Sequence, residues 1–152
     1  MGEINWKDKC FVATIYLVNS DHKVLLSWNK NMQAWIPVGG HVDPGETPED
    51  AITREVKEET GFDFEFFQKE KRENTGNTHY VRSHLLQIDT VPHHNKHINF
   101  VFLGKCKNNY EKLETDEQEK LRWFTKDELK AEEGKMIESV RLIALEALEL
   151  VK

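Results

Sequence analysis

The chain has 152 residues, of which 38% are hydrophobic and 32% charged, with a net charge of −6 at pH 7. That is enough apolar material for the core of one ordinary domain over residues 1–152, and it argues against a disordered tail. The acidic balance argues against a surface that coats nucleic acid, but it leaves a nucleotide substrate open, because bound divalent cations can supply positive charge.

The opening residues, MGEINWKDK, lack the basic segment and apolar core of a secretory signal. Residues 10–19, CFVATIYLVN, are β-branched and aromatic, as a buried strand should be. SDHK then makes a turn, and KVLLSW at 23–28 makes a second strand, which suggests a hairpin. QAWIPVGGHV at 33–42 is broken by Pro37, Gly39 and Gly40, and reads as one or two short strands meeting a bend. Thr47 is an N-cap, Pro48 suits the first helical position, and Glu49 and Asp50 sit where the helix dipole favours negative charge. The helix runs to about Thr60, with Gly61 as its stop and Ile52 and Val56 as its apolar stripe.

Beyond the helix, 62–70 alternates loosely as a strand, and 71–79 is a polar, turn-rich loop. Strands are predicted at 80–89 and 97–106 with a turn between them, and a last short strand at 120–124. KDELKAEE starts a helix, and Met136, Val140, Ile143, Ala147 and Val151 repeat at helical spacing in another. This order of elements predicts a mixed α/β or α+β layer fold, not a regular βαβ wind. Cys10 and Cys106 lie in separate apolar runs without CxxC spacing, so two buried, reduced thiols are expected. No run reaches the ~18 apolar residues of a membrane span. A soluble, cytoplasmic protein without membrane or nucleic-acid partners is therefore expected.

The helix at 48–60 carries the chemistry. Glu58 and Glu59 lie three and four residues beyond Glu55, so all three carboxylates share one face. Like charges at such spacings cost about 0.2–0.5 kcal/mol per pair when exposed. Only Arg54 and Lys57 offset them on this helix. A hard divalent cation removes the repulsion, since Mg²⁺ prefers carboxylate oxygens, water and substrate phosphates. Gly39 and Gly40 leave backbone carbonyls accessible and let a ligand approach closely. Arg54 is placed either to orient a glutamate or to touch a phosphate.

The stretch resembles the Nudix box of the Nudix (MutT-like) pyrophosphohydrolases: Gly, five residues, Glu, seven residues, then Arg-Glu-U-x-Glu-Glu-x-Gly-U, where U is apolar. Gly40, Glu46, Arg54, Glu55, Val56, Glu58, Glu59, Gly61 and Phe62 stand at the matching positions, with an aromatic where an aliphatic is commoner. AWIPVGG resembles the family's approach to the box, with Val38 inserted before the glycines, and RWFTKDEL resembles a later strand-to-helix segment. The resemblance implies a mixed β-sheet sandwiched between helices. It also implies Mg²⁺- or Mn²⁺-dependent hydrolysis of a nucleoside diphosphate linked to another moiety. By motif position it makes Glu58 and Glu59 metal ligands and Glu55 a ligand or the general base. Arg54 orients the glutamates, the Gly39 or Gly40 carbonyl adds a metal contact, and Glu46 is structural. Some members add a downstream acid, for which Glu119 is the candidate, with Glu117 and Asp116 as rivals. Dimers are common in the family, which leaves a homodimer open.

Trp35, Tyr80 and His97 are further substrate-binding candidates. Trp35 either joins the core or stacks on a base, and so does Trp123. Tyr80 lies 18 residues beyond the box, near the distance of a tyrosine in some dinucleoside-polyphosphate hydrolases. His97 starts a strand and lines either the pocket or the surface; with His93 and His94 it lacks the HExxH zinc pattern. The additional motifs of ADP-ribose, NADH and coenzyme A hydrolases are not found, which favours a nucleoside triphosphate or a related small nucleotide. The alternatives are an ADP-ribose or dinucleoside-polyphosphate hydrolase and a non-catalytic nucleotide-binding domain.

Overall fold

The computed structural model describes residues 10–91, 96–107 and 121–152. In chain order the strands are β1 (Cys10–Val18), β2 (Val24–Asn29), β3 (Ala34–Ile36), β4 (Val38–His41), β5 (Phe64–Phe66), β6 (Leu85–Asp89), β7 (His97–Cys106) and β8 (Leu121–Phe124). The helices are α1 (Pro48–Thr60), α2 (Lys126–Ala131) and α3 (Glu138–Leu150). The described strands form one mixed sheet.

β1 is its axis. One edge runs parallel to β7 from Cys10↔His97 to Val18↔Lys105. The other is shared by β4, antiparallel from Val12↔His41 to Ile15↔Val38, and by β2 at Val18↔Val24. β3 and β8 pair with β2, while β6 and β5 share the edge of β7 away from β1.

Both faces of β1 are covered, which is why its sequence is a nearly continuous apolar run. Ile15 and Leu17 join Ala51, Ile52 and Val56 of α1 on one face. Tyr16 and Val18 join Leu129 of α2 and Ile143, Ala144 and Leu148 of α3 on the other. Successive strand residues thus feed opposite cores, and the result is a mixed α+β sheet between helices.

The helix ends follow local chemistry. The Thr47 hydroxyl accepts from the Asp50 N–H at 3.1 Å, and the Asp50 carboxylate accepts from the Thr47 N–H at 3.0 Å. Gly61 closes α1 at φ 70°. Thr125 and Glu128 repeat the reciprocal cap at α2. Among the described residues no helix is long and apolar enough to cross a membrane.

Some expected elements differ. The strand expected at 80–89 is confined to Leu85–Asp89. The Arg82 N–H donates at 3.1 Å to the Glu49 carboxylate on α1 instead of joining a ladder. The 62–70 strand shortens to Phe64–Phe66, and Pro37 separates β3 from β4. Neither cysteine is in a disulfide, but Cys10 is only half-buried. Burial pushes the Cys106 thiol up to about 12.

Thr47→Ala removes one half of the α1 cap and is expected to cost about 1 kcal/mol of stability. Urea denaturation of the two proteins measures it; an unchanged midpoint refutes the role of the cap.

Candidate active site

The loop before α1 is shaped by two glycines with different duties. Gly39 lies at φ 153°, and a β-carbon there would collide with the backbone of Ala13 and Thr14 on β1. A β-carbon on Gly40 would instead collide with the Glu55 carboxylate. The first glycine lets β4 pair with β1, and the second leaves room for a box glutamate.

Arg54 braces this loop against α1. Its Nε and Nη2 each donate at 2.9 Å to the two oxygens of Glu46, and Nη2 also donates to the His41 carbonyl at 3.0 Å. Nη1 donates to Glu55 at 2.9 Å and to Glu58 at 3.4 Å. The Arg54 bonds, followed by the Asp43 N–H, hold the Glu46 carboxyl below its usual range. The Glu46 and Glu55 bonds raise the Arg54 guanidinium above its own. The fork points at protein partners, so Arg54 acts as a strut.

Glu55, Glu58 and Glu59 are not fully neutralised by it. Burial pushes Glu59 up to about 8; the neighbouring Glu55 charge, a hydrogen bond with Glu55 and the Glu58 charge add to the shift, against an opposing Gly39 N–H bond. These are hard oxygen donors held on a rigid helix with surplus negative charge, and they fit a Mg²⁺-class cation. Glu58, Glu59 and Gly39 line a cleft of about 320 Å³, bordered by Ser27, Trp28 and Asn29 of β2, by Ile36, Pro37 and by Leu121.

The other described candidates do not line this cleft. Trp35 packs edge-on against Trp28 and Phe124, each at 5.3 Å, beside the α2–α3 core. Trp123 stacks on Phe62 at 6.0 Å. Tyr80 is exposed beneath the Arg72 guanidinium at 5.7 Å, and borders a separate cavity of about 680 Å³ with Phe66 and Arg82. His97 opens β7, its ring 5.4 Å from that of His41. Glu119, Glu117, Asp116, His93 and His94 lie outside the described residues.

Two residues escaped sequence reasoning. Trp28 borders the cleft, but an aromatic near a strand end carries no signal of that. Glu49 is only 8% exposed and holds His79 at 3.1 Å and the Arg82 backbone at 3.1 Å, tying the 79–82 segment to α1. Its first-turn position suggested only a dipole effect.

A family model described as NUDIX domain matches residues 9–144. A Bacillus subtilis (strain 168) protein described as "Putative 8-oxo-dGTP diphosphatase" is 42% identical over 50 residues, 33% of this chain and 34% of that protein. The match thus spans about a third of the curated relative's length. The structure of a NUDIX-family hydrolase from Clostridium perfringens superimposes with a TM-score of 0.76 at 27% identity, over 93% of this chain and 97% of that one. The C. elegans Ap4A hydrolase shares the fold, with a TM-score of 0.59 at 18% identity over 92% and 93% of the two chains.

Two predictions follow the geometry. Gly39→Ala should lose at least about 2 kcal/mol, because the new methyl meets β1 backbone; a thermal melt at wild-type temperature refutes this. The folded Glu59 binds its proton more tightly than the unfolded one, whose ordinary value is 4.5. Stability of the protein in chelator is therefore expected to fall as pH rises from 4.5 towards about 8. Glu59→Gln should flatten that slope in melts across the range, and an equal slope in both proteins contradicts the assignment.

Proposed function

This chain belongs to the NUDIX family, and on that premise we propose that it is a divalent-cation-dependent pyrophosphohydrolase of a nucleoside triphosphate or a related small nucleotide. The observation that carries the reading is the placing of Glu59 beside Glu55 at the cleft, where burial first, and then the Glu55 charge, push Glu59 up to about 8. Carboxylates arranged this way bind a cation more readily than they stay bare. Glu55, Glu58 and Glu59, with the Gly39 or Gly40 carbonyl and Glu119, would hold Mg²⁺ or Mn²⁺. When bound, the ion neutralises charge on the phosphate oxygens.

Glu55 is the proposed general base. It accepts a proton from water as the water oxygen bonds to phosphorus. The bridging P–O bond then breaks, leaving a nucleoside monophosphate and pyrophosphate, or phosphate joined to the other moiety. Arg54, 2.9 Å from Glu55, fixes the direction in which that carboxylate accepts. Glu58 shares Arg54 and completes the acidic face. Trp28 offers an aromatic surface next to the cleft. The description of the Bacillus subtilis relative supports a purine nucleoside triphosphate. We read residues 1–152 as one domain acting on a small molecule in the cytoplasm.

The test is release of product from a panel of nucleoside triphosphates, ADP-ribose, dinucleoside polyphosphates and nucleotide sugars with Mg²⁺. Preferred turnover of a triphosphate is expected; preference for another class moves the substrate, and no release from any of them leaves a non-catalytic binding domain. Glu55→Gln should lower kcat by about 10²–10⁴-fold with the circular dichroism unchanged. Near-wild-type turnover would assign the base elsewhere. Glu59→Gln should raise the Mg²⁺ concentration needed for half-maximal rate, and an unchanged requirement removes it from the ligand set.

A further inference from the structure

A second cluster of metal-ligating side chains lies on the opposite face of the sheet from α1. Cys10 opens β1 and His97 opens β7, directly across the parallel ladder. Paired residues in a sheet project to the same face. His41 closes β4 opposite Val12, which is two residues beyond Cys10 and therefore on that same face. This is the face on which Tyr16 and Val101 meet α3. The sulfur of Cys10 and one ring nitrogen from each histidine all lie within 4.8 Å of one another. The two imidazole rings meet edge to face at 76°.

We propose that Cys10, His41 and His97 form a binding site for a borderline-soft divalent ion of the Zn²⁺ class, distinct from the carboxylate face of α1. The donor set selects the ion. Thiolate and imidazole suit Zn²⁺, whereas Mg²⁺ takes oxygen. Bonds of roughly 2.3 Å to sulfur and 2.0–2.1 Å to nitrogen place tetrahedral ligand atoms ~3.5 Å apart, close to the separation of up to 4.8 Å seen here. Each ligand comes from the end of a different strand, so the bound ion clips β1, β4 and β7 together. His41 is exposed and Cys10 and His97 are half-buried, which leaves the fourth position to water. Asp89, paired with His97 in the next ladder, adds a negative charge on the same face.

The clip also touches the loop before α1. The carbonyl of His41 accepts from Arg54 at 3.0 Å, and Arg54 holds Glu55 at 2.9 Å. An ion that fixes His41 therefore stiffens the turn behind the acidic helix without using its carboxylates.

Co²⁺ is the probe, because a thiolate bound to it gives a near-ultraviolet charge-transfer band that oxygen ligands do not. The metal-free full chain is titrated with Co²⁺ in excess Mg²⁺. The expected result is saturation at one equivalent with that band, bleached by an equivalent of Zn²⁺, and a melting temperature raised by Zn²⁺. Cys10→Ser should abolish the band and weaken binding by more than the ~10-fold that loss of an outer-shell partner costs. His41→Ala, at an exposed position, should weaken it too, and Glu59→Gln should leave the band intact. Absence of the band in the wild type overturns the proposal, as does a band that survives Cys10→Ser or one that disappears with Glu59→Gln.

Discussion

One guanidinium ties the helix to the loop that faces it. Arg54 spends its N–H groups on Glu46, Glu55, Glu58 and the His41 carbonyl. Glu46 in turn accepts from the Asp43 N–H at 2.8 Å, so the loop is braced from both ends. The network is only part-buried, and exposed ion pairs of this kind are individually worth about 0–1 kcal/mol. Its value is positional: a bidentate fork sets direction as well as distance. With Arg54 committed, the Glu58 and Glu59 carboxyl groups stay available at the cleft.

That brace works because the sheet sets where its two ends stand. β4 pairs with β1 only because Gly39 lies against the β1 backbone, and α1 seats Ile52 and Val56 on the same strand's side chains. Loop and helix are thus referred to one rigid element. Gly40 then lets Glu55 come against the loop. Polar placement at the site rests on apolar packing beneath it, which holds side chains to fractions of an ångström.

Local signals were legible where local chemistry decided the outcome. Thr47, Pro48 and Gly61 marked the ends of α1 correctly, because caps act within one turn. The runs at 10–19 and 97–106 became β1 and β7, since burial on both faces writes itself as continuous hydrophobicity. Residues 80–84 were misjudged as strand because their partner, Glu49, lies more than thirty residues away in sequence. Trp35 was a fair aromatic candidate, but its face depends on the β2–β3 register, in which Trp28 pairs with Trp35 and the two rings meet edge-on.

By itself the sequence determined the helix with its caps, the spacing of Glu55, Glu58 and Glu59 on one face, and the glycine turn before it. These are properties of a period of 3.6 residues and of backbone sterics, and need no partner. Only the tertiary structure decided that Arg54 is a strut, that Trp28 and not Trp35 borders the cleft, and that Cys10, His41 and His97 converge. Each depends on which elements lie side by side, and for the strand residues on register, since a one-residue slip of a strand would send its side chains to the other face.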